Sequence, residues 1–141
     1  MQPEYFMRLA LEEAQKGDAP YGAVIVKNQE VVAVAHNTVN RDSDPSAHAE
    51  INVIRSLTAK LKSPSLVGYT IYTTGEPCPM CATACVWAGI SEIVYGASIQ
   101  DLVSVNQSQI LISCEEVITQ SFRNIKITGG ILKHECLALF N

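Results

Sequence analysis

Three side chains that can bind a transition metal lie in two short motifs of this sequence. His48 begins the tripeptide H-A-E, which ends at Glu50, and Cys78 and Cys81 lie in the segment P-C-P-M-C. One imidazole and two thiolates leave the fourth position of a tetrahedral zinc ion to water, which is the arrangement of a catalytic site. The Glu50 carboxylate lies close to a ligand in sequence, so it can transfer protons beside the metal without binding it. The spacing predicts one Zn²⁺ ion per subunit, with water as the fourth ligand, and hydrolytic chemistry.

The motif C-x-x-C alone has other interpretations. It also occurs in structural zinc sites and in redox-active cysteine pairs. A structural site would need a fourth protein ligand, which Cys85, His36 or His134 could provide. We expect Cys85 to be a buried core residue, His36 to be structural or exposed, and His134 to be solvated. A zinc-stabilised binding domain without catalysis is an alternative function, but such a domain has no use for the carboxylate of Glu50.

Both motifs are predicted at the start of helices. One helix is expected to begin near Ala47, with Ser46 as its N-cap, so that His48 and Glu50 lie in its first turn. A second helix is expected over residues 78–88. The i, i+3 spacing of the two cysteines places both sulfur atoms on one helix face, and the partial positive charge of a helix N-terminus favours thiolates. Two helix N-termini that face each other can therefore build the whole metal site.

The remaining elements are predicted from the periodicity of the apolar residues. We expect helices over residues 4–16 and 131–140, a hairpin of strands 21–26 and 30–35, strands over 69–73, 92–95 and 125–128, and partial helix within 102–120. This order predicts an α/β fold with three layers (α-β-α), in which a mixed five-stranded sheet has helices on both faces. No repeat, linker or low-complexity segment divides residues 1–141, so we expect a single domain.

The composition favours some function classes over others. Of the 141 residues, 48% are hydrophobic and only 17% are charged, with a formal net charge of −4. This acidic balance disfavours a nucleic-acid partner, while a surface poor in charge is consistent with an oligomer. Five cysteines fit a metal site in a reducing compartment better than a disulfide framework. There is no signal peptide and no apolar stretch of membrane-spanning length, so we expect a cytoplasmic protein without a membrane partner.

The two motifs and their neighbours resemble a known enzyme superfamily. The pattern H-x-E…P-C-x-x-C is the signature of zinc-dependent hydrolytic deaminases. Segments 20–27, 44–50 and 72–81 resemble the purine-acting branch of the cytidine/deoxycytidylate deaminase superfamily, which contains bacterial guanine deaminases and tRNA adenosine deaminases. The resemblance implies a cytidine deaminase-like fold, a homodimer, and conversion of an exocyclic amine to a carbonyl with release of ammonia. It also implies that Glu50 carries the protons of this reaction.

The resemblance implies three further positions that contact the substrate. An Asn eleven residues before the zinc-binding His contacts the purine in this family, and here that position is Asn37. The backbone of a G-A-V segment lines the base pocket, which points to Ala23, and guanine deaminases of this type have an Asp at the position of Asp101. Without the resemblance, Asn37 would be interpreted as a turn residue after a strand. Asp101 could equally be a helix cap.

The substrate prediction is guanine, converted to xanthine in purine metabolism. Asp101 and Pro79 favour the guanine deaminases, because many tRNA enzymes have Val at the position of Pro79. The alternative substrate is the wobble adenosine of tRNA, which would become inosine. The acidic balance and the scarcity of basic residues near the C-terminus disfavour tRNA as a partner and favour a small purine. The pocket is expected to depend on loops around Arg41 and on residues 98–110, and Phe140 is the candidate for an aromatic residue that closes the pocket of the partner subunit.

Overall fold

A five-stranded mixed sheet forms the centre of the computed structural model, which describes residues 2–141 of the chain. The strands are β1 (Gly22–Lys27), β2 (Glu30–His36), β3 (Thr70–Gly75), β4 (Glu92–Ala97) and β5 (Lys126–Thr128). Their order in the sheet is β2-β1-β3-β4-β5. Strand β1 is antiparallel to both β2 and β3, whereas β3, β4 and β5 are parallel to one another. The segments that follow β3 and β4 therefore leave the sheet at the same edge.

A tight turn joins β1 and β2 into the predicted hairpin. Asn28 and Gln29 have φ values of 53° and 65°. Two successive positive φ values are typical of a type I′ turn, whose twist matches that of the paired strands. At the other end of the hairpin, the backbone N–H of Asn37 donates to the carbonyl oxygen of Tyr21 (3.2 Å). The residues just before β1 and just after β2 therefore lie side by side.

Seven helices pack around this sheet in the described part of the chain. They are α1 (Pro3–Ala14), α2 (Val39–Asp42), α3 (Ala49–Leu61), α4 (Pro79–Ala88), α5 (Ile99–Ser104), α6 (Cys114–Thr119) and α7 (Lys133–Ala138). Over residues 2–141, no helix has the length and apolar character needed to cross a membrane.

Side chains alternate along the strands and produce two hydrophobic layers. Ile25, Ile71 and Ile93 belong to a core that they share with α3 and α4. Val24 and Val94 belong to a second core, which includes residues of α1 and α7. Successive strand residues point to opposite faces, so burying both sets requires helices on both faces of the sheet. The predicted three-layer α/β fold is confirmed.

Helix α1 lies directly on the start of β1. A Cβ atom at Gly22 would collide with the backbone of Ala10 and Ala14. Glycine is therefore required at this position for the close approach of helix and strand. The approach also brings α1 next to β2, where Oε1 of Glu13 lies 3.0 Å from Nδ1 of His36.

Some element boundaries differ from the prediction for local reasons. Helix α3 begins at Ala49 with His48 as its N-cap, whereas the Ser46 hydroxyl donates to Oδ1 of Asp44 (2.7 Å) and caps no helix. The last helix is shorter than predicted because Leu132 adopts a left-handed conformation with φ of 52°. The four-residue helix α2 was not predicted, since so short a segment carries no periodic signal.

The segment 102–120, predicted as partly helical, contains the end of α5, the whole of α6 and a connection between them. We call residues 105–113 the α5–α6 loop. Ser98 and Asp101 form a capping box at the start of α5, and Ser113 and Glu116 form one at the start of α6. The α5–α6 loop thus lies between two short helices whose first turns are each stabilised locally.

Candidate active site

The three predicted zinc ligands lie at the starts of α3 and α4. His48 is the N-cap of α3 and Cys78 is the N-cap of α4, and both have extended backbones with ψ of 158° and 169°. Neither side chain makes the hydrogen bond to its own helix that N-cap residues commonly make. Cys81 lies in the first turn of α4. Both N-cap side chains lie at a common point, together with Cys81.

The ligand atoms have the separations that a tetrahedral zinc ion requires. Nδ1 of His48 lies 3.7 Å from Sγ of Cys78 and 3.6 Å from Sγ of Cys81, and all three ligand atoms lie within 4.8 Å of one another. Zinc bonds of about 2.3 Å to sulfur and about 2.0 Å to nitrogen, at tetrahedral angles, place the two ligand atoms about 3.6 Å apart. The donor set therefore fits zinc, which would supply a Lewis acid that makes water acidic near neutral pH.

Hydrogen bonds within the cluster shift the pKa values of the two thiols in opposite directions. A hydrogen bond from Cys81 and a second one from His48 outweigh burial and lower the pKa of Cys78 to about 4. The same bond to Cys78, together with burial, raises the pKa of Cys81. The bond to Cys78 also raises the pKa of His48. The protein alone thus stabilises one thiolate, and metal binding would release the remaining thiol proton.

Glu50 lies next to the zinc ligands in the first turn of α3. It is 6% exposed and lines the same cavity as His48 and Cys78. Burial raises the pKa of Glu50 to about 7, and the negative charge of Cys78 acts in the same direction. A carboxyl group in this environment can take up and release a proton near neutral pH, as general acid–base chemistry requires.

A cavity of about 320 Å³ lies beside these side chains. Its walls consist of Tyr21, Asn37, His48, Glu50, Glu76, Cys78, Asn106, Gln107, Ser108 and Gln109. The predicted substrate contact Asn37 is thus at the cavity, and its Oδ1 accepts the backbone N–H of Val39 (3.0 Å). The NH₂ group of Asn37 is therefore the part of the amide that can donate to a bound molecule. The volume is within the range of small-molecule sites.

Two other predicted substrate contacts do not lie at this cavity. Ala23 is fully buried in β1, within the core that faces α3 and α4. Asp101 caps α5 together with Ser98, and its Oδ1 lies 3.4 Å from Nζ of Lys133. The interpretation of Asp101 as a helix cap is confirmed. Asp101 was one of the two residues that favoured guanine as substrate, and helix capping is sufficient to explain its presence.

The α5–α6 loop supplies the polar wall of the cavity. Residues 106–109, with the sequence N-Q-S-Q, line it, in agreement with the expectation that residues 98–110 shape the pocket. Arg41, in the other predicted loop, instead binds Asp18 (2.9 Å) and does not line the cavity. The sequence does not single out residues 106–109, although a run of amide and hydroxyl side chains is typical of a polar loop.

Tyr21 is a further cavity residue that the sequence does not indicate. Its hydroxyl donates to Oε1 of Gln107 (3.4 Å). Burial raises the pKa of Tyr21 to about 12, so the phenol stays protonated and remains a hydrogen-bond donor at neutral pH. The sequence predicts Tyr21 only as the first residue of a strand, and an alternating strand pattern carries no information about a pocket.

The residues that could have provided a fourth zinc ligand have other surroundings. Cys85 is fully buried in α4, as predicted. His36 pairs with Glu13, and His134 is exposed on α7. Within residues 2–141 the metal-binding cluster thus consists of three side chains, which is the composition of a catalytic zinc site.

Comparison with known proteins assigns the chain to a family. The zinc-binding region of the cytidine and deoxycytidylate deaminases matches residues 1–97. The chain therefore belongs to this family, and it is a zinc-dependent deaminase, a hydrolase that acts on C–N bonds. The resemblance based on the H-x-E and P-C-x-x-C motifs is confirmed.

Its relatives include adenosine and guanine deaminases. A tRNA-specific adenosine deaminase of Buchnera aphidicola subsp. Baizongia pistaciae is 36% identical over 98% of this chain and 85% of its own length. A solved structure from studies of A-to-I editing by tRNA:A34 deaminases at the wobble position of transfer RNA has a TM-score of 0.84 and 32% identity, over 96% of this chain and 98% of that chain. Guanine deaminase from Bacillus subtilis has a TM-score of 0.73 and 35% identity, over 77% of this chain and 73% of that chain.

The curated relatives correct the substrate prediction. Because tRNA-specific adenosine deaminases match this chain over nearly its whole length, the prediction of guanine as substrate, and of tRNA as a disfavoured partner, is wrong. Pro79 is the first residue of α4, a position that favours proline in any helix. Asp101 is a helix cap. The net charge of −4 describes the whole chain and does not exclude local contacts with RNA.

Proposed function

We propose that this chain deaminates adenosine at the wobble position of tRNA and produces inosine. The similarity of nearly the whole chain to a tRNA-specific adenosine deaminase carries the proposal. In this reaction water adds to C6 of the adenine ring, the C6 amine leaves as ammonia, and a carbonyl remains. Adenosine and water thus give inosine and ammonia, with no further reactant.

Glu50 is the residue that moves protons in the proposed reaction. Its position beside the zinc ligands allows the carboxylate to accept a proton from the attacking water and to deliver it to N1 of the adenine ring. The same carboxylate then takes the proton of the new C6 hydroxyl and delivers it to the departing amine. The burial of Glu50 keeps bulk water away from both transfers.

Polar side chains around Glu50 would hold the base. The NH₂ group of Asn37 is available to donate to a ring nitrogen or carbonyl oxygen of a purine. The α5–α6 loop adds amide groups at Gln107 and Gln109, which can both donate and accept hydrogen bonds. A stacked base in an RNA loop cannot reach Glu50, so the adenosine must be flipped out of the loop into the cavity.

An anticodon stem-loop with adenosine at the wobble position tests the proposed function. We expect the zinc-loaded protein to convert this adenosine to inosine, and to leave a matched stem-loop with adenosine at the neighbouring loop position unchanged. Binding of the RNA should weaken as salt is raised, because phosphate contacts release counterions. Deamination of free guanine or adenine without deamination of the stem-loop would contradict the proposal.

We also propose that two copies of the chain associate in the cytoplasm, where tRNA is found. Exposed apolar side chains on and beside α4 support this proposal. Trp87 is 70% exposed, and Phe122, which is 65% exposed, packs against it with ring centroids 5.3 Å apart. Met80 lies two helical turns before Trp87 on the same face of α4 and is also exposed. Large aromatic and methionine side chains of this kind are enriched at protein interfaces.

Sedimentation velocity tests the proposed association. Trp87→Ser should shift the protein from dimer to monomer at micromolar concentration. Tyr5→Ser is the matched control, since it removes an exposed aromatic side chain from α1, on the opposite face of the sheet. A dimer that persists unchanged in Trp87→Ser, or a wild type that is monomeric, would argue against an interface on α4.

A further inference from the structure

The carboxylate of Glu76 binds the first residues of two helices. Glu76 follows β3 and is 7% exposed. Its Oε1 accepts the backbone N–H of Ile99 (2.8 Å), and its Oε2 accepts the backbone N–H of Cys114 (2.8 Å). Ile99 is the first residue of α5 and Cys114 is the first residue of α6. Backbone amides at these positions have no partner within their own helix, so the carboxylate satisfies two donors that would otherwise be buried and unpaired.

These helices flank the segment that forms the polar wall of the cavity. The α5–α6 loop begins at the end of α5 and ends at the amide that Glu76 binds on Cys114. The backbone N–H of Glu76 in turn donates to the carbonyl oxygen of Ala97 (2.7 Å), at the end of β4. Glu76 is therefore attached to the sheet while its side chain holds α5 and α6. It also precedes Cys78 closely in sequence, so one short segment carries both this anchor and a zinc ligand.

We propose that Glu76 is a positioning residue that shapes the substrate cavity by holding the α5–α6 loop in place, an inference that rests on the proposed function. A carboxylate offers one acceptor oxygen to each of the two N–H donors. Glutamine has a single acceptor oxygen, and its NH₂ group would face one of the donors. The negative charge also makes both hydrogen bonds stronger than neutral ones. Glutamate is therefore required at this position because two backbone N–H groups, those of Ile99 and Cys114, must each be given an acceptor.

Glu76 is itself part of the cavity wall, but other contacts position the zinc ligands and cap the two helices. Helices α5 and α6 each keep their own capping box, and the zinc ligands lie at the starts of α3 and α4. Removing the charge of Glu76 should therefore loosen the α5–α6 loop while the fold and the metal site are retained. The kinetic consequence is weaker substrate binding rather than slower chemistry.

Two glutamine variants test the proposal. Glu116 is the matched control, because it caps α6 through Ser113 at 3.4 Å but is exposed and does not line the cavity. In Glu76→Gln we expect KM for the wobble-adenosine stem-loop to rise on the order of tenfold, as expected for the loss of one charge-assisted hydrogen bond. The kcat value should change much less, and the zinc content should remain at one ion per chain. Glu116→Gln should leave KM unchanged.

Hydrogen exchange tests the anchor independently of activity. In the zinc-loaded wild type, the amides of Ile99 and Cys114 should exchange slowly although both are first residues of helices. In Glu76→Gln these two amides and those of residues 105–113 should exchange faster by at least about tenfold. In Glu116→Gln the amide of Ile99 should exchange as in the wild type.

Several outcomes would overturn the role of Glu76. Rapid exchange of either amide in the wild type would do so, even if Glu76→Gln failed to fold. Unchanged KM and exchange in Glu76→Gln, or an equal loss of kcat in both glutamine variants, would also do so. If the wild type does not deaminate the stem-loop, the proposed function fails, whereas the exchange measurement still decides whether Glu76 holds the loop.

Discussion

The ring of Phe140 packs against the ring of Tyr21, with centroids 5.3 Å apart and planes inclined by 59°. Tyr21 lines the cavity and its hydroxyl reaches Gln107 on the α5–α6 loop, whereas Phe140 does not line the cavity. Within its own chain, Phe140 therefore supports a wall of the cavity from behind. The segment after α7 is thus connected to the substrate site through one aromatic contact.

Replacing Phe140 should weaken substrate binding through Tyr21. Phe140→Ala removes the ring that holds Tyr21, so we expect KM for the RNA stem-loop to rise by about two- to tenfold, with a smaller change in kcat. Phe140→Leu keeps apolar contact with the tyrosine ring and should restore most of the loss. Steady-state kinetics at a temperature where all three proteins are folded measures this. Equal KM values for Phe140→Ala and the wild type would show that the contact does not reach the cavity.

Variants of two cysteines in α4 distinguish the effect of metal binding from the effect of core packing. Cys81 and Cys85 are both fully buried, but only Cys81 belongs to the zinc cluster. Cys81→Ala should lose zinc and, with it, activity and thermal stability, because metal binding is coupled to folding. Cys85→Ala should keep zinc and lose only about 1 kcal/mol of stability from packing. Metal analysis and thermal unfolding measure both effects, and a fully loaded Cys81→Ala protein would remove this residue from the ligand set.

Replacing Glu50 should stop the chemistry without removing the metal. Glu50→Gln keeps the shape of the side chain but cannot carry a proton, so kcat should fall by about 10² to 10⁴ or more. Zinc content and affinity for the RNA stem-loop should stay close to those of the wild type, because Glu50 is not a ligand in the cluster. Single-turnover kinetics with metal-loaded protein is the appropriate measurement. A variant that keeps its kcat would refute the assignment of Glu50 as the proton carrier.

The fold and the metal site could be predicted because their signals are local in the sequence. Successive apolar residues such as Val24 and Ile25 point to opposite faces of the sheet, so a continuous apolar run requires helices on both faces. The metal site depends on an i, i+3 pair and on the H-x-E motif, each within one helical turn. Cys78 and His48 are each the N-cap of a helix. The motifs and the predicted helix starts therefore indicate the same metal site.

The walls of the cavity could not be predicted because they depend on contacts between distant residues. Glu76 binds Ile99, 23 residues away, and Cys114, 38 residues away, while Tyr21 reaches Gln107 across 86 residues. The periodicity of apolar residues gives no information about such long-range pairs. The substrate prediction failed for a related reason, since the spacing of Asp101 agrees equally with a cap of α5 and with a substrate contact. The capping box at the start of α5 shows the first of these two roles.

Glu13 provides a prediction for the pH dependence of stability. Its carboxylate accepts from Nζ of Lys16 (2.8 Å) and pairs with Nδ1 of His36 (3.0 Å). Burial raises the pKa of Glu13, but the hydrogen bonds with Lys16 and His36 outweigh it and hold this pKa below its usual value of 4.5. The unfolded chain therefore binds the proton more readily. It follows that the contribution of Glu13 to the free energy of unfolding is complete above about pH 4.5 and is lost as the pH falls through the lowered pKa.

The stability difference between the wild type and Glu13→Gln should therefore depend on pH. At about pH 6 the wild type should be more stable by on the order of 1 kcal/mol, and the difference should shrink as the pH falls below 4.5 and through the lowered pKa of Glu13. Urea unfolding of both proteins across this range measures the difference, and because acid affects the zinc site of both proteins alike, its effect cancels. Glu12→Gln, at the exposed neighbouring position on α1, should stay within about 0.5 kcal/mol of the wild type throughout. A constant difference for Glu13→Gln at every pH would mean that the shape of the side chain, rather than its charge, stabilises the contact between α1 and β2.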